Sequence, residues 1–303
     1  MKRSKIKIFI HPGFGKSGTS TLQNSVFPKF PDINLVGRPY SLKPGNRQLS
    51  YNLKKNSPFF DFNLTRNLSL KLINKKKVNI LSEETLCTAS LKNEAVIQRL
   101  SKFYPDAKIF FTIRNQYDAA ISYYINHERT LRKSPKPFLG SFVSFNNWFD
   151  YAFEEYENNF LGELDYYSMI SLYEKYFKQK NIKIFLFEDF INNNQIYIRN
   201  ILSFCGVKFK EIKITKENPR ITDREFTYYK LRSKLPQSSI TNLIPFGQKI
   251  IGILNRFFQN KKPAKILLNK SQKDSLMDIY SENNIKLNKA YNLKLGNYRY
   301  PGF

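Results

Sequence analysis

Eight residues close to the N-terminus have the types that hold a phosphate. They are Gly13, Gly15, Lys16, Ser17, Gly18, Thr19, Ser20 and Thr21, all within the run HPGFGKSGTST. Glycines let a backbone approach an anion closely, and the N–H groups at the start of a following helix point at it with the positive end of the helix dipole. Lys16 adds a full charge, and the hydroxyls add further donors. Which phosphate is bound is a separate matter. The nucleoside-triphosphate pattern G-x-x-x-x-G-K-[ST] would need glycine at position 10, where this chain has Ile10. The loop is therefore shorter than one that wraps a β-phosphate.

A second set of chemistry-bearing residues lies further along. Arg114 closes an apolar run, KIFFTI, and Ser122 follows eight positions later in a helical stretch. A guanidinium at the end of a strand suits a phosphate, because ligands of open α/β sheets bind beyond the carboxyl ends of the strands. Glu83 and Glu84 follow another short apolar run, VNIL, and either has the chemistry of a general base. Alternation along that run favours Glu84. The same two acids would also suit a magnesium-dependent kinase or NTPase, which stays open as an alternative. Only two histidines are present, His11 directly before the loop and His127. His11 is a candidate for contact with a reacting group, and equally for a packed, satisfied histidine. Arg38 is a candidate for an acidic substrate.

These residues need a scaffold that brings positions 11–21, 38, 83–84 and 114–122 together. The pattern supplies one. Residues 5–11, 78–81, 108–113 and 183–190 read as strands, and helical segments follow the first, third and fourth. Another helix, AVIQRLSKFYP, lies between the second and third. Strands alternating with helices predict an α/β fold with a central parallel sheet flanked by helices in three layers, as in P-loop NTPases. Residues 28–63 read as loops with short elements, and the chain from Lys216 onward is polar and basic.

The run HPGFGKSGTSTLQ resembles the 5′-phosphosulfate loop of bacterial PAPS-dependent sulfotransferases, which reads like HIGxxKTGTTxLQ. The Arg114–Ser122 spacing resembles that family's 3′-phosphate motif, and VGRPY, LSEETL and FLFEDF are similar to further pieces of the bacterial branch. The resemblance covers roughly residues 5–207. It implies PAPS as donor, PAP as product and no metal. Lys16 would then stabilise the leaving phosphate and Ser17–Thr21 would orient the nonbridging oxygens. Arg114 and Ser122 would grip the 3′-phosphate, and Glu84 or Glu83 would act as base. A single domain over 1–303 is expected, with a C-terminal cap or amphipathic helical region over 208–303. The glycine-rich loop that caps the nucleotide in small-molecule sulfotransferases is not visible, and Arg220 and Arg224 in NPRITDREF are candidates to replace it.

Composition bounds the partners. The chain has 303 residues, 50 Lys and Arg against 24 acids, and a formal net charge of +26. That excess points to anionic partners. Part of it is also the background bias of Lys-, Asn- and Ile-rich stretches. The lysines are dispersed and no nucleic-acid motif appears, so nucleic acid is not expected. A glycan or glycolipid acceptor is expected instead. Cys87 and Cys205 read as buried free thiols, and no signal peptide or membrane span is evident, so a cytoplasmic location is expected. Residues 240–268 mix apolar and basic residues at helical spacing, which fits either a core-covering helix or peripheral membrane contact. A non-enzymatic protein that binds an anionic polymer or a membrane surface is the remaining alternative.

Overall fold

The computed structural model describes residues 6–87, 93–128, 143–214, 222 and 265–303. Five parallel strands form its sheet: β1 (Ile8–His11), β2 (Ile33–Gly37), β3 (Val78–Ser82), β4 (Lys108–Ile113) and β5 (Ile182–Leu186), in the order β2-β3-β1-β4-β5. β1 is central, with Ile10 paired to Leu81 on one side and Ile109 on the other. Chain order reverses across β1, so the crevice beyond its carboxyl end is where such sheets place ligands.

Both faces of the sheet are covered, which is why its strands read as continuous apolar runs. On one face lies α1 (Thr19–Thr21), which continues as a π-turn over Leu22–Val26 and a 3-10 turn over Phe27–Lys29. With α10 (Asn194–Cys205) it buries Leu22, Val26, Phe27, Ile198 and Leu202 against Phe9, Phe110 and Phe185. The other face packs Ile10, Ile109 and Phe111 under α4 (Asn93–Phe103), α5 (Gln116–Glu128), α8 (Tyr166–Glu174) and the long α11 (Lys270–Tyr291). This is the predicted three-layer, P-loop-like α/β fold.

Two segments differ from the sequence reading. The stretch 28–63 holds a whole strand, β2, together with α2 (Asn46–Leu53) and the start of α3 (Phe62–Leu72). β2 is only five residues long and sits in a stretch rich in Pro, Asn and Lys, which masks it. α3 turns Thr65 and Ser69 inward and leaves Leu64 and Leu70 exposed, which hides its period. The run 183–190 stops as a strand at Leu186, and α9 (Phe187–Asn192) begins at once. In the polar C-terminal region, α11 opens with a capping box, Asn269 with Gln272, and buries Leu276, Tyr280, Asn284 and Leu287 on one face.

The residues after α11 return to the sheet's ligand-facing edge. Asn284 donates to Pro301 O at 2.9 Å, and Asn115 Nδ2 donates to Tyr298 O at 2.7 Å and Arg299 O at 2.9 Å. Tyr300 is fully buried and its hydroxyl donates to Glu188 at 2.9 Å. Cys87 and Cys205 are free and buried.

Candidate active site

The loop between β1 and α1 is held in a shape that few residues tolerate. Gly13 and Gly18 have φ of +57° and +84°, and Lys16, which carries a side chain, has +64°. Left-handed backbone is costly for a non-glycine residue and collects at ligand sites. A Cβ on Gly18 would lie 2.7 Å from the Phe187 ring, so that position admits glycine alone. The first helical amides with backbone acceptors are those of Thr21 and Leu22, both on Gly18 O. Amides before them belong to the set that a helix start presents to a ligand.

The hydroxyls of the loop divide into two groups. Ser17 is fully buried, donates to Phe14 O at 2.6 Å and meets Thr112 Oγ1 at 3.0 Å. It faces the sheet, and the expectation that its hydroxyl orients a donor oxygen is corrected: only its backbone remains for that role. Thr19 is buried as well, but its Oγ1 has no hydrogen-bond partner. An orphaned buried hydroxyl at the start of this helix fits a ligand oxygen. Ser20 and Thr21 are half-buried.

Arg114 stands at the end of β4, 8 % exposed, with Nη1 donating to Lys16 O at 3.2 Å and its guanidinium 5.1 Å from the Phe187 ring centre. The two predicted anion-binding pieces thus meet, with Phe187 between Arg114 and Gly18. Its neighbour Asn115 donates its backbone N–H to Glu188 at 2.8 Å. Burial pushes the Glu188 carboxyl up, against the lowering effect of the hydrogen bonds from Asn115, from its own backbone and from Tyr300, and of the Arg114 charge. Ser122 is half-buried in α5.

At the end of β3, Glu83 is 1 % exposed and accepts from Arg38 Nε at 3.1 Å, Tyr40 Oη at 2.6 Å and Thr85 Oγ1 at 3.0 Å. Burial works to raise its pKa. The Tyr40 hydrogen bond, the Arg38 charge, a Ser50 hydrogen bond and the Lys54 charge outweigh that, and the carboxyl sits below its ordinary value. Arg38 and Arg47 lie 5.1 and 5.6 Å from the Tyr40 ring centre, and Lys54 donates to Thr85 Oγ1 at 2.9 Å. Glu84 is half-exposed and opens a short 3-10 turn, which breaks the strand alternation used to place it. Sequence reasoning found Arg38 but missed Tyr40, Ser50 and Lys54, although Tyr40 stands two residues beyond Arg38.

His11 is fully buried, with its ring stacked on Phe110 at 4.6 Å, and both nitrogens are engaged. Burial pushes its pKa down to about 3. The expectation that it touches a reacting group is therefore corrected: it is a packed, neutral imidazole. Arg220, Arg224 and nearly all of the 240–268 segment lie outside the described residues, as does the side chain of His127.

A strained, glycine-rich loop between a central parallel strand and a helix, facing an arginine at the next strand's end, defines a P-loop-like nucleotide-binding α/β protein. A sulfotransferase-domain family model matches residues 6–247, and the chain belongs to that family. It is an enzyme of sulfuryl transfer. The solved sulfotransferase from Alicyclobacillus acidocaldarius is 17 % identical, with a TM-score of 0.60 over 98 % of this chain and 99 % of that one, which is a likeness of fold. Mouse sulfotransferase SULT7A1 complexed with PAP is 18 % identical, with a TM-score of 0.42 over 84 % of each chain. No curated protein matches.

Proposed function

We propose that the enzyme takes its sulfuryl group from PAPS and passes it to a hydroxyl or amine of a glycan or glycolipid acceptor. One observation carries the donor reading: Arg114 Nη1 bonds Lys16 O, so a phosphate loop and a second anion site share one crevice. A nucleotide with phosphates at both 5′ and 3′ positions matches two such sites. The orphaned Thr19 hydroxyl suits the 5′ end, with Lys16, Gly15 and the amides of Ser17, Gly18 and Ser20 beside it. Arg114, with Ser122 on α5, suits the 3′ end. PAP in the mouse neighbour's crystal is in keeping with this.

Sulfuryl transfer asks the protein for in-line placement and for neutralisation of charge on the leaving oxygen. The acceptor oxygen or nitrogen bonds to sulfur as the bond from sulfur to the bridging oxygen breaks. Lys16 stabilises the charge that this leaves on the 5′-phosphate. Glu84 takes the acceptor proton. Glu83 is the poorer base, since Arg38, Tyr40 and Thr85 already engage its oxygens. Its place is to hold Arg38 at the acceptor side, where Arg38, Arg47 and Lys54 favour an acceptor that already bears negative charge.

Calorimetric titration with PAP, beside ATP plus magnesium, tests the donor. The expected result is metal-independent PAP binding that Lys16→Ala and Arg114→Ala each weaken, Arg114→Ala by about a hundredfold as a charge-assisted phosphate contact. Preference for ATP with magnesium, or indifference to Arg114, would promote the kinase reading.

A further inference from the structure

Beneath the phosphate loop five buried polar side chains form one connected line. Gln23 Nε2 lies 2.9 Å from Ser82 Oγ, Ser82 Oγ 2.8 Å from His11 Nδ1, and His11 Nε2 3.3 Å from Thr112 Oγ1. Thr112 Oγ1 lies 3.0 Å from Ser17 Oγ, which is 2.6 Å from Phe14 O. The line joins the π-turn that continues α1, the ends of β3, β1 and β4, and the loop itself. Four of the five are fully buried and Gln23 is 3 % exposed.

The direction of every bond follows from its last member. A carbonyl oxygen only accepts, so Ser17 donates its one hydroxyl proton to Phe14 O. Thr112 must then donate to Ser17. With its proton so used, Thr112 can only accept from His11, and Nε2 therefore carries the ring proton. A neutral ring leaves Nδ1 as acceptor, so Ser82 donates to it and in turn accepts from the Gln23 amide. The amide end points the required way.

We infer that His11 is a positioning residue, fixed as the neutral Nε2–H tautomer at the centre of a one-directional hydrogen-bond line that sets the phosphate loop for the donor. The line ends on Phe14 O, two residues before the left-handed Lys16. It ties the loop to three strands through side chains rather than through backbone alone. A lost link leaves buried donors or acceptors unmatched, which is costly where water cannot enter. His11 takes and gives no proton in the reaction. This role rests on the donor reading above, whereas the tautomer does not.

The chain has two histidines, so a His127→Gln variant leaves one imidazole to observe. In a 15N-labelled sample its spectrum is expected to show a protonated Nε2 and a bare Nδ1, unchanged from pH 5 to 8. A protonated Nδ1, or a ring that titrates in that range, overturns the assigned direction. The positioning role is read separately with PAP. Thr112→Val removes the central link at constant shape and is expected to raise the PAP Kd about tenfold, while Thr112→Ser restores it. An unchanged Kd in Thr112→Val overturns the positioning role. If the parent enzyme fails to bind PAP at all, the donor reading falls, and the imidazole spectrum still decides the line.

Discussion

Two carboxylates stand at the same edge of the sheet, Glu83 after β3 and Glu188 after β5, and their surroundings drive them in opposite directions. Both are largely buried, and burial alone would raise both. Glu83 ends below the ordinary value because two cations, Arg38 and Lys54, add their charge to hydrogen bonds from Tyr40 and Ser50. Glu188 ends above it, because burial outweighs the amides of Asn115 and its own residue, the Tyr300 hydroxyl and the one nearby charge, Arg114. Neutral hydrogen bonds offset part of a carboxylate's desolvation, whereas nearby cations can reverse it. The two ends of the crevice are thus built for different work. The β2–β3 side carries fixed ionised groups suited to an acceptor. On the β5 side a carboxyl joins Asn115, beside Arg114, to the C-terminal segment through Tyr300.

The largest effect is expected where this contrast meets the chemistry. Glu84→Gln should lower kcat by about 10²- to 10⁴-fold, the range for loss of a general base, with little change in PAP binding. Glu83→Gln should lower kcat less and raise the acceptor KM, since it loosens Arg38 while leaving the base. Steady-state kinetics on the two variants separates the roles. A larger kcat loss in Glu83→Gln would exchange them, making the buried, ion-paired carboxylate the base and Glu84 its neighbour.

How far the sequence reveals this site depends on how far apart its parts lie. The phosphate loop is legible because its chemistry is contiguous, from Gly13 to Thr21, between an apolar run and a helix. Arg114 is legible because it closes a clear strand. The line beneath the loop is not: His11 meets Ser82 and Thr112 across separations of 71 and 101 residues. Ser82 and Thr112, polar residues within strands, look like solvent-facing positions until the fold closes over them. The direction of Ser17 is invisible for the same reason. β2 escaped notice because its short run, INLVG, lies among the prolines, asparagines and lysines of 28–63. The Glu188–Tyr300 bond spans 112 residues and involves a segment whose helix, α11, buries polar Gln272 and Asn284 on the same face as Leu276, Tyr280 and Leu287.

The next effect concerns stability. Glu83→Ala removes the shared acceptor of Arg38, Tyr40 and Thr85 and is expected to lower unfolding stability by about 2 kcal/mol, as for loss of hydrogen bonds to a buried charge. Arg38→Ala should cost less, because the Arg38 side chain is 41 % exposed and its charge is screened by water. Urea unfolding of the two single variants and the double variant yields their coupling. A coupling near zero would mean that Tyr40 and Thr85, not the ion pair, hold Glu83 in place, and the contrast with Glu188 would narrow.

The smallest effect is the sign of stability against pH. Glu83 has a folded pKa below the ordinary 4.5. Between those two values the unfolded chain binds more protons, so stability rises with pH there. The contribution of Glu83 is complete above 4.5 and is lost as pH falls through its folded value. Glu188 has a folded pKa above 4.5. Between 4.5 and that value the folded protein binds more protons, so its contribution falls as pH rises. Urea midpoints from pH 3.5 to 6.5 should therefore climb less steeply at the acid end in Glu83→Gln than in the parent. Glu188→Gln should gain on the parent as pH rises above 4.5. If both variants shift the profile in the same direction, burial rather than the identity of the partners sets these two charges, and the contrast between the two ends of the crevice fails with it.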